Sequence, residues 1–148
     1  KIVHTASVAE TEELASAIGS KLRGGEVFEL ISDLGGGKTA FVRGLARGMG
    51  SPDHVSSPTF TIGKVYKSAK LALHHFDFYR LHDPGLMVHE LGDIVGSADM
   101  VIAVEWGAIV DGVLPKQRVV VNISATSENA REITLTYPKK FGYIMESK

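Results

Sequence analysis

Between the apolar run EVFELI, Glu26 to Ile31, and the amphipathic run that opens at Lys38 lies the segment SDLGGGKT, and this junction constrains the fold more than any other part of the chain. Glu26 to Ile31 reads as a short buried strand. Phe41, Leu45 and Met49 recur at helical spacing, which predicts a helix from Lys38 to Met49 closed by Gly50. A strand that turns directly into a helix leaves the first helical amides without intrahelical acceptors, and a glycine-rich turn lets successive N–H groups converge. Such a turn can cradle a phosphate chain with no side chain in the way. Gly35, Gly36 and Gly37 supply it; Lys38 is expected to reach the β- and γ-phosphates of a nucleotide, and the Thr39 hydroxyl to ligate Mg2+. The plainer reading, a glycine turn beside a surface lysine, leaves the framing strand and helix unexplained.

In the spacing G-x-x-x-x-G-K-[ST], the leading glycine falls where this chain has Ser32. That position shapes the exit from the strand, while the later residues build the amide cradle. If the turn demands an unusual φ there, serine costs about 1 kcal/mol. Binding is expected to survive, with its strength left open.

With 148 residues, 44% of them hydrophobic, the chain can build one domain with a real core and not two full-sized ones. Sixteen basic against seventeen acidic residues leave a net charge of -1, so no global field draws in DNA, RNA or an anionic membrane. RNA contact would need a local patch or a partner. Cysteine is absent, which excludes disulfides and thiolate metal sites and agrees with a reducing cytoplasm. No run approaches the roughly 18 apolar residues of a membrane span, and KIVHTASVAETEE carries acids where a signal peptide would be apolar. A soluble, cytoplasmic protein is expected. A chain that opens on Lys1 is expected to begin inside a longer one.

The order of elements alternates between strand and helix. Ser7 and Glu10 have capping-box spacing, and Leu14, Ile18 and Leu22 then mark an amphipathic helix running to Gly24-Gly25. After the second helix, FTIGKVY and LALHHFDFY, separated by KSAK, predict a β-hairpin. Asp83-Pro84 suggests a helix start, with Leu86 to Val95 as its body. MVIAVEW, RVVVNISA and REITLTY read as three more strands, and PKKFGYIMESK as a polar, mobile tail from about residue 138. The fold class is therefore α/β: a single domain of the P-loop NTPase type, with a mixed central sheet, flanking helices and a β-hairpin.

Two acids end apolar strands, Asp77 in LALHHFDFYRL and Glu105 in MVIAVEWG. A carboxylate at the end of a strand beside a phosphate loop can reach a magnesium ion, often through water, and each acid is a candidate. An ordinary solvent-facing strand residue is the competing reading, stronger for Asp77 than for Glu105. SSPTFT, Ser56 to Thr61, is hinged by Pro58 and rich in hydroxyls, as suits a segment that senses a γ-phosphate. His74, His75, His82 and His89 crowd together, but with no cysteine and no H-x-x-x-H on a helix a zinc site is not expected.

Taken together and in this order, SDLGGGKTAFVRGLARGMG, VSSPTFT, HHFDFYRL and VIAVEWG resemble the bacterial TsaE family, P-loop ATPases required for threonylcarbamoyladenosine modification of tRNA. The similarity runs from about Thr5 to NAREITL, and Ser32 and Gly36 are its departures from the usual loop. The resemblance implies that Leu34 to Thr39, with Gly35, Gly36, Gly37 and Lys38, wrap the phosphates and that Thr39 and Glu105 place Mg2+. It also implies that Asp77 is needed for hydrolysis, that Thr59 and Thr61 belong to the switch-like segment, and that Trp106 lies beside the site. Thr11 and Arg131 match positions near the nucleotide base; from the residues alone they read as an exposed helix residue and the start of a strand. His75 is expected to support the site by hydrogen bonding, and Tyr79 and Arg80 share its motif without an evident role.

The resemblance further implies a Mg2+-dependent ATPase that acts with TsaB and TsaD and meets tRNA through that complex. Neither Arg43 nor Arg80 is placed as an arginine finger, so hydrolysis by the isolated chain should be weak until a partner supplies the missing group. Two other readings use the same loop: a small-molecule kinase, for which an arginine-rich lid is wanting, and a nucleotide-sensing module that hydrolyses nothing.

Overall fold

The computed structural model describes residues 1–32, 37–53, 55, 63–78, 85–106, 110 and 112–146. In chain order the elements are β1 (Ile2–Thr5), α1 (Val8–Gly19), β2 (Val27–Ser32), α2 (Lys38–Gly48), β3 (Gly63–Lys67), β4 (Ala72–Asp77), α3 (Gly85–Ile94), β5 (Met100–Glu105), β6 (Val119–Ala125) and β7 (Arg131–Thr136), followed by a 3-10 helix (Lys139–Met145). The strands form one seven-stranded mixed sheet in the order β1-β7-β6-β2-β5-β4-β3. Its centre, β4-β5-β2-β6, is parallel, while β3 on one flank and β7 with β1 on the other run antiparallel to their neighbours. The expected mixed α/β sheet is thus found, and β3 with β4 forms the expected hairpin. Phe60 to Ile62 of its first arm, and Asp83-Pro84 ahead of α3, lie outside the described residues.

The two faces of the sheet follow from the alternation of side chains along each strand. Phe28 and Leu30 of β2, Leu73 of β4, and Val101 and Ala103 of β5 join one core with Ala15 and Ile18 of α1 and with Phe41, Val42 and Leu45 of α2. Val27, Phe76, Ile102 and Val104, the intervening positions, pack on the other face with Leu91 of α3, Val110 and Leu114. Each large buried apolar side chain contributes about 1.5–3 kcal/mol, so these two layers hold the helices in place. Among the described residues no helix is long and apolar enough to cross a membrane.

Helix α1 begins as the sequence suggests. The Ser7 side chain accepts a hydrogen bond from the Glu10 amide at 3.1 Å, and the Glu10 carboxylate accepts one from the Ala6 amide. It ends earlier than its apolar spacing predicts, at Gly19 rather than before Gly24, and Leu22 reaches the core from the connection that follows. The two helices cross closely: a Cβ built on Gly44 of α2 would lie 2.4 Å from the Glu12 carbonyl oxygen and 2.6 Å from the Ala15 Cβ. Strand β1 has no counterpart among the elements that the sequence pattern predicts. It spans four residues, and Ile2 is 60% exposed on the sheet edge, so pairing with β7 rather than an apolar face defines it.

Residues 139–145, which read from their polarity as part of a mobile tail, form the 3-10 helix, with Ile144 fully buried. Lys21 donates to the Ile144 carbonyl at 3.4 Å, and the Tyr143 hydroxyl donates to the Glu26 carboxylate. Glu26 is itself buried and also accepts from the Arg23 and Gly24 amides, both at 2.8 Å.

Candidate functional site

Strand alternation decides which chemical groups meet. In β4, His75 and Asp77 share the parity of Leu73; in β5, Glu105 shares that of Val101 and Ala103; all of these point to the face covered by α2. The parallel pairing of β4 with β5 sets Asp77 against Glu105 in register, so two acids stand side by side at the carboxyl ends of adjacent strands. On the other side of β5 lies β2, whose last residue, Ser32, precedes the glycine segment. Open α/β sheets bind ligands at this end of their parallel strands.

The first residue of α2 completes the cluster. The Lys38 ammonium lies 3.7 Å from Glu105 Oε1 and donates to the Ser32 carbonyl at 3.3 Å. Glu105 Oε2 lies 2.6 Å from His75 Nε2. Lys38, His75 and Glu105 are all buried, at 7%, 0% and 4% exposure. Burying an ammonium and a carboxylate costs several kcal/mol per ion before their attraction is counted, and apolar residues would serve stability as well. That cost points to chemistry rather than packing. Trp106, which follows Glu105, is the one non-glycine with positive φ among the described residues, at 59°, and its ring centroid lies 5.2 Å from the Lys38 ammonium.

Gly37 caps α2 at φ 108° and offers no side-chain acceptor to the first helical amides. A residue with a Cβ would be strained there, and the amides that a side chain leaves unclaimed are the donors an anion needs. Thr39, in the same turn, and Glu105 supply hard oxygen donors of the kind Mg2+ takes. The described residues therefore fit a magnesium-bound polyphosphate in the chemistry of their groups. Among them no cluster of three or more His, Asp or Glu could by itself hold a metal ion.

At Ser32 the condition for strain is not met. The residue ends β2 in register with Ile123 and has no positive φ, so serine strains nothing at this point. Thr11 corrects an expectation: it is 1% exposed, not solvent-facing, and its hydroxyl lies 2.7 Å from that of Thr5. Thr5 is in register with Arg131, and a Cβ on Gly37 would lie 3.4 Å from Arg131 Nε and 3.7 Å from Ile123 Cγ2. Arg131 thus lies beside Gly37, and Thr11 touches Thr5, the residue paired with Arg131 and one that the sequence pattern passes over because it lies in the unpredicted β1. Arg131 Nη1 donates to the carbonyls of Ser127, Glu128 and Ala130 at 3.1, 3.2 and 2.9 Å, which fixes the guanidinium on the β6–β7 turn. Arg43 pairs with Glu12 of α1 at 3.1 Å. Leu34, Gly35, Gly36, Thr59, Thr61, Tyr79, Arg80 and His82 lie outside the described residues.

A mixed sheet whose parallel strands set a histidine and two acids at one end, beside the lysine that opens α2, defines an α/β protein with its buried charges gathered at that end. Residues 5–133 match the profile of the family described as threonylcarbamoyl adenosine biosynthesis protein TsaE. The chain is 38% identical over 133 residues to the tRNA threonylcarbamoyladenosine biosynthesis protein TsaE of Bacillus subtilis, covering 89% of this chain and 82% of that one. It is 35% identical to the protein of the same name from Treponema pallidum, covering 87% and 95%. The crystal structure of YdiB from Bacillus subtilis superposes with a TM-score of 0.76 at 29% identity, over 97% of this chain and 90% of that one. The chain belongs to the TsaE family.

Proposed function

We propose that this chain is the ATP-binding and ATP-hydrolysing component of the machinery that makes threonylcarbamoyladenosine in tRNA, working in the cytoplasm with TsaB and TsaD. The buried Lys38–Glu105 pair, next to Gly37 at the start of α2, carries this reading. In it, Lys38 neutralises phosphate oxygens, the amides from Gly37 onward hold the phosphate chain, and Thr39 and Glu105 hold Mg2+. The ion supplies charge neutralisation at the transferred phosphoryl group. Asp77, in register with Glu105, orients or accepts a proton from the attacking water. Trp106 shields the pair, and Thr11 and Arg131 border the base. Thr59 and Thr61 form the switch-like segment.

No arginine in the described part of the site is placed as a finger, since Arg43 is engaged with Glu12 and Arg131 with turn carbonyls. Hydrolysis by the isolated chain is therefore slow, and TsaB with TsaD raises it, by about 10³-fold where a partner supplies such a group. With a net charge of -1 the chain alone binds tRNA weakly, and the complex provides the RNA surface. The test is multiple-turnover formation of the modified base in a reconstituted mixture, with phosphate release measured without any added acceptor. Lys38→Ala and Glu105→Gln should each lower both by at least about tenfold, while circular dichroism reports a retained fold. Undiminished modification with the Lys38→Ala protein would refute the ATPase role.

A further inference from the structure

We propose that His75 is a positioning residue for the metal site, donating the hydrogen bond that decides which oxygen of Glu105 is left free for the cation. The proposal rests on the function given above and adds a role for a buried group to which that function assigns none. His75 has no exposed surface, and its Nε2 lies 2.6 Å from Glu105 Oε2. The other oxygen, Oε1, is the one that faces Lys38. An ionised carboxylate only accepts, so Nε2 carries the hydrogen. The far side of the ring agrees, because Nδ1 is buried with no hydrogen-bond partner among the described residues. A hydrogen on Nδ1 would be a buried donor without an acceptor, whereas a bare ring nitrogen there leaves only an unused lone pair.

Sheet register explains why histidine does this. Asp77 is the residue in register with Glu105, and His75, in register with Ala103, is the diagonal neighbour on the same face. A short side chain does not span that diagonal; the Nε2 edge of an imidazole does. Without the hydrogen bond, the Glu105 carboxylate is free to rotate about its last bond and present either oxygen, or neither, to a cation held by Thr39. With it, Oε1 stays turned toward Lys38 and the start of α2. Charge-assisted hydrogen bonds of this kind are short, as this one is at 2.6 Å.

Gln and Asn separate this role from mere burial of a polar group, because Gln places an amide nitrogen where Nε2 was and Asn places one only where Nδ1 was. His75→Asn is expected to raise the Mg2+ concentration for half-maximal hydrolysis and lower kcat, by about 10- to 100-fold together, with His75→Gln within about threefold of wild type. Nucleotide affinity without Mg2+ should be the same in all three proteins. In the nucleotide-free wild type, long-range proton–nitrogen NMR should find the ring hydrogen on Nε2, a measurement that stands even if the Asn protein does not fold. A His75→Asn protein with wild-type Mg2+ dependence, a Gln protein as impaired as Asn, or a hydrogen on Nδ1 alone overturns the proposal while leaving the ATPase reading intact. A wild type that binds and hydrolyses no nucleotide overturns both.

Discussion

Trp106 shows what a single backbone angle can hold. Its φ of 59° is unfavourable for any residue with a Cβ, yet it sets the indole over the Lys38 ammonium immediately after the acid that Lys38 faces. Trp106→Ala keeps the strain and loses the ring, whereas Trp106→Gly loses the ring and the strain together. The glycine variant should therefore be the more stable of the two by about 1 kcal/mol in urea denaturation. Equal midpoints would mean the backbone relaxes away from this angle once the indole is gone. Ser32 carries the opposite lesson. The loop pattern suggests that glycine belongs there, but the residue sits in extended strand and contributes its carbonyl to Lys38. Ser32→Gly should leave Mg-ATP affinity unchanged within about twofold and cost about 0.5–1 kcal/mol of stability, read from titration and melting; strong tightening of binding would restore the strained-turn view. The residue types of the site are legible from their place at the ends of apolar runs. Their partners are not, because the bonds of Glu105 to Lys38 and His75 depend on the register of three strands, which no single run of sequence states.

Helices and strands are the scale at which the sequence speaks most clearly. The capping serine of α1 and the apolar spacing of α2 are local patterns with local causes, and they reappear within a residue or two; the hairpin reappears too, its first arm described from Gly63 onward. The end of α1 is harder to read because Leu22 continues the helical spacing after the helix has stopped, and β1 is hidden because its identity lies in its partner. Where elements touch, the expected energetics are specific. Gly44→Ala in α2 should destabilise by about 1–3 kcal/mol, since its Cβ would press on the Glu12 carbonyl and the Ala15 side chain of α1. Urea midpoints of the two proteins check this; an unchanged midpoint would mean the helices can part at little cost. At the far end of the sheet, burial first and then the hydrogen bond to Glu26 push the Tyr143 phenol well above its ordinary value of 10.0. The unfolded chain releases that proton near its ordinary value while the folded chain keeps it. The contribution is thus complete below 10.0 and is lost as pH climbs through the raised folded value. The stability advantage of wild type over Tyr143→Phe, measured at about pH 8 and again at about pH 10.5, should shrink at the higher pH.

For the molecule as a whole, the order of strands matters more than their number. The site is assembled by β2, β4 and β5, which are neighbours in the sheet but are separated in sequence by α2, β3 and α3. The edge pairing of β1 with β7 carries this separation furthest, joining Ile2–Thr5 to Arg131–Thr134. Pairings between such distant segments slow folding, so refolding followed through the single tryptophan is expected on the millisecond-to-second scale. A microsecond phase with the full amplitude would contradict it. The same pairing has a meaning in time as well as in space. As the chain leaves the ribosome, β1 emerges long before the strand that will receive it. Throughout that interval Ile2–Thr5 is an unpaired edge, and the hydroxyl contact between Thr5 and Thr11 has no sheet to rest on. The join that links Thr11, Thr5 and Arg131 is therefore finished last, by the final strand of the sheet to be made.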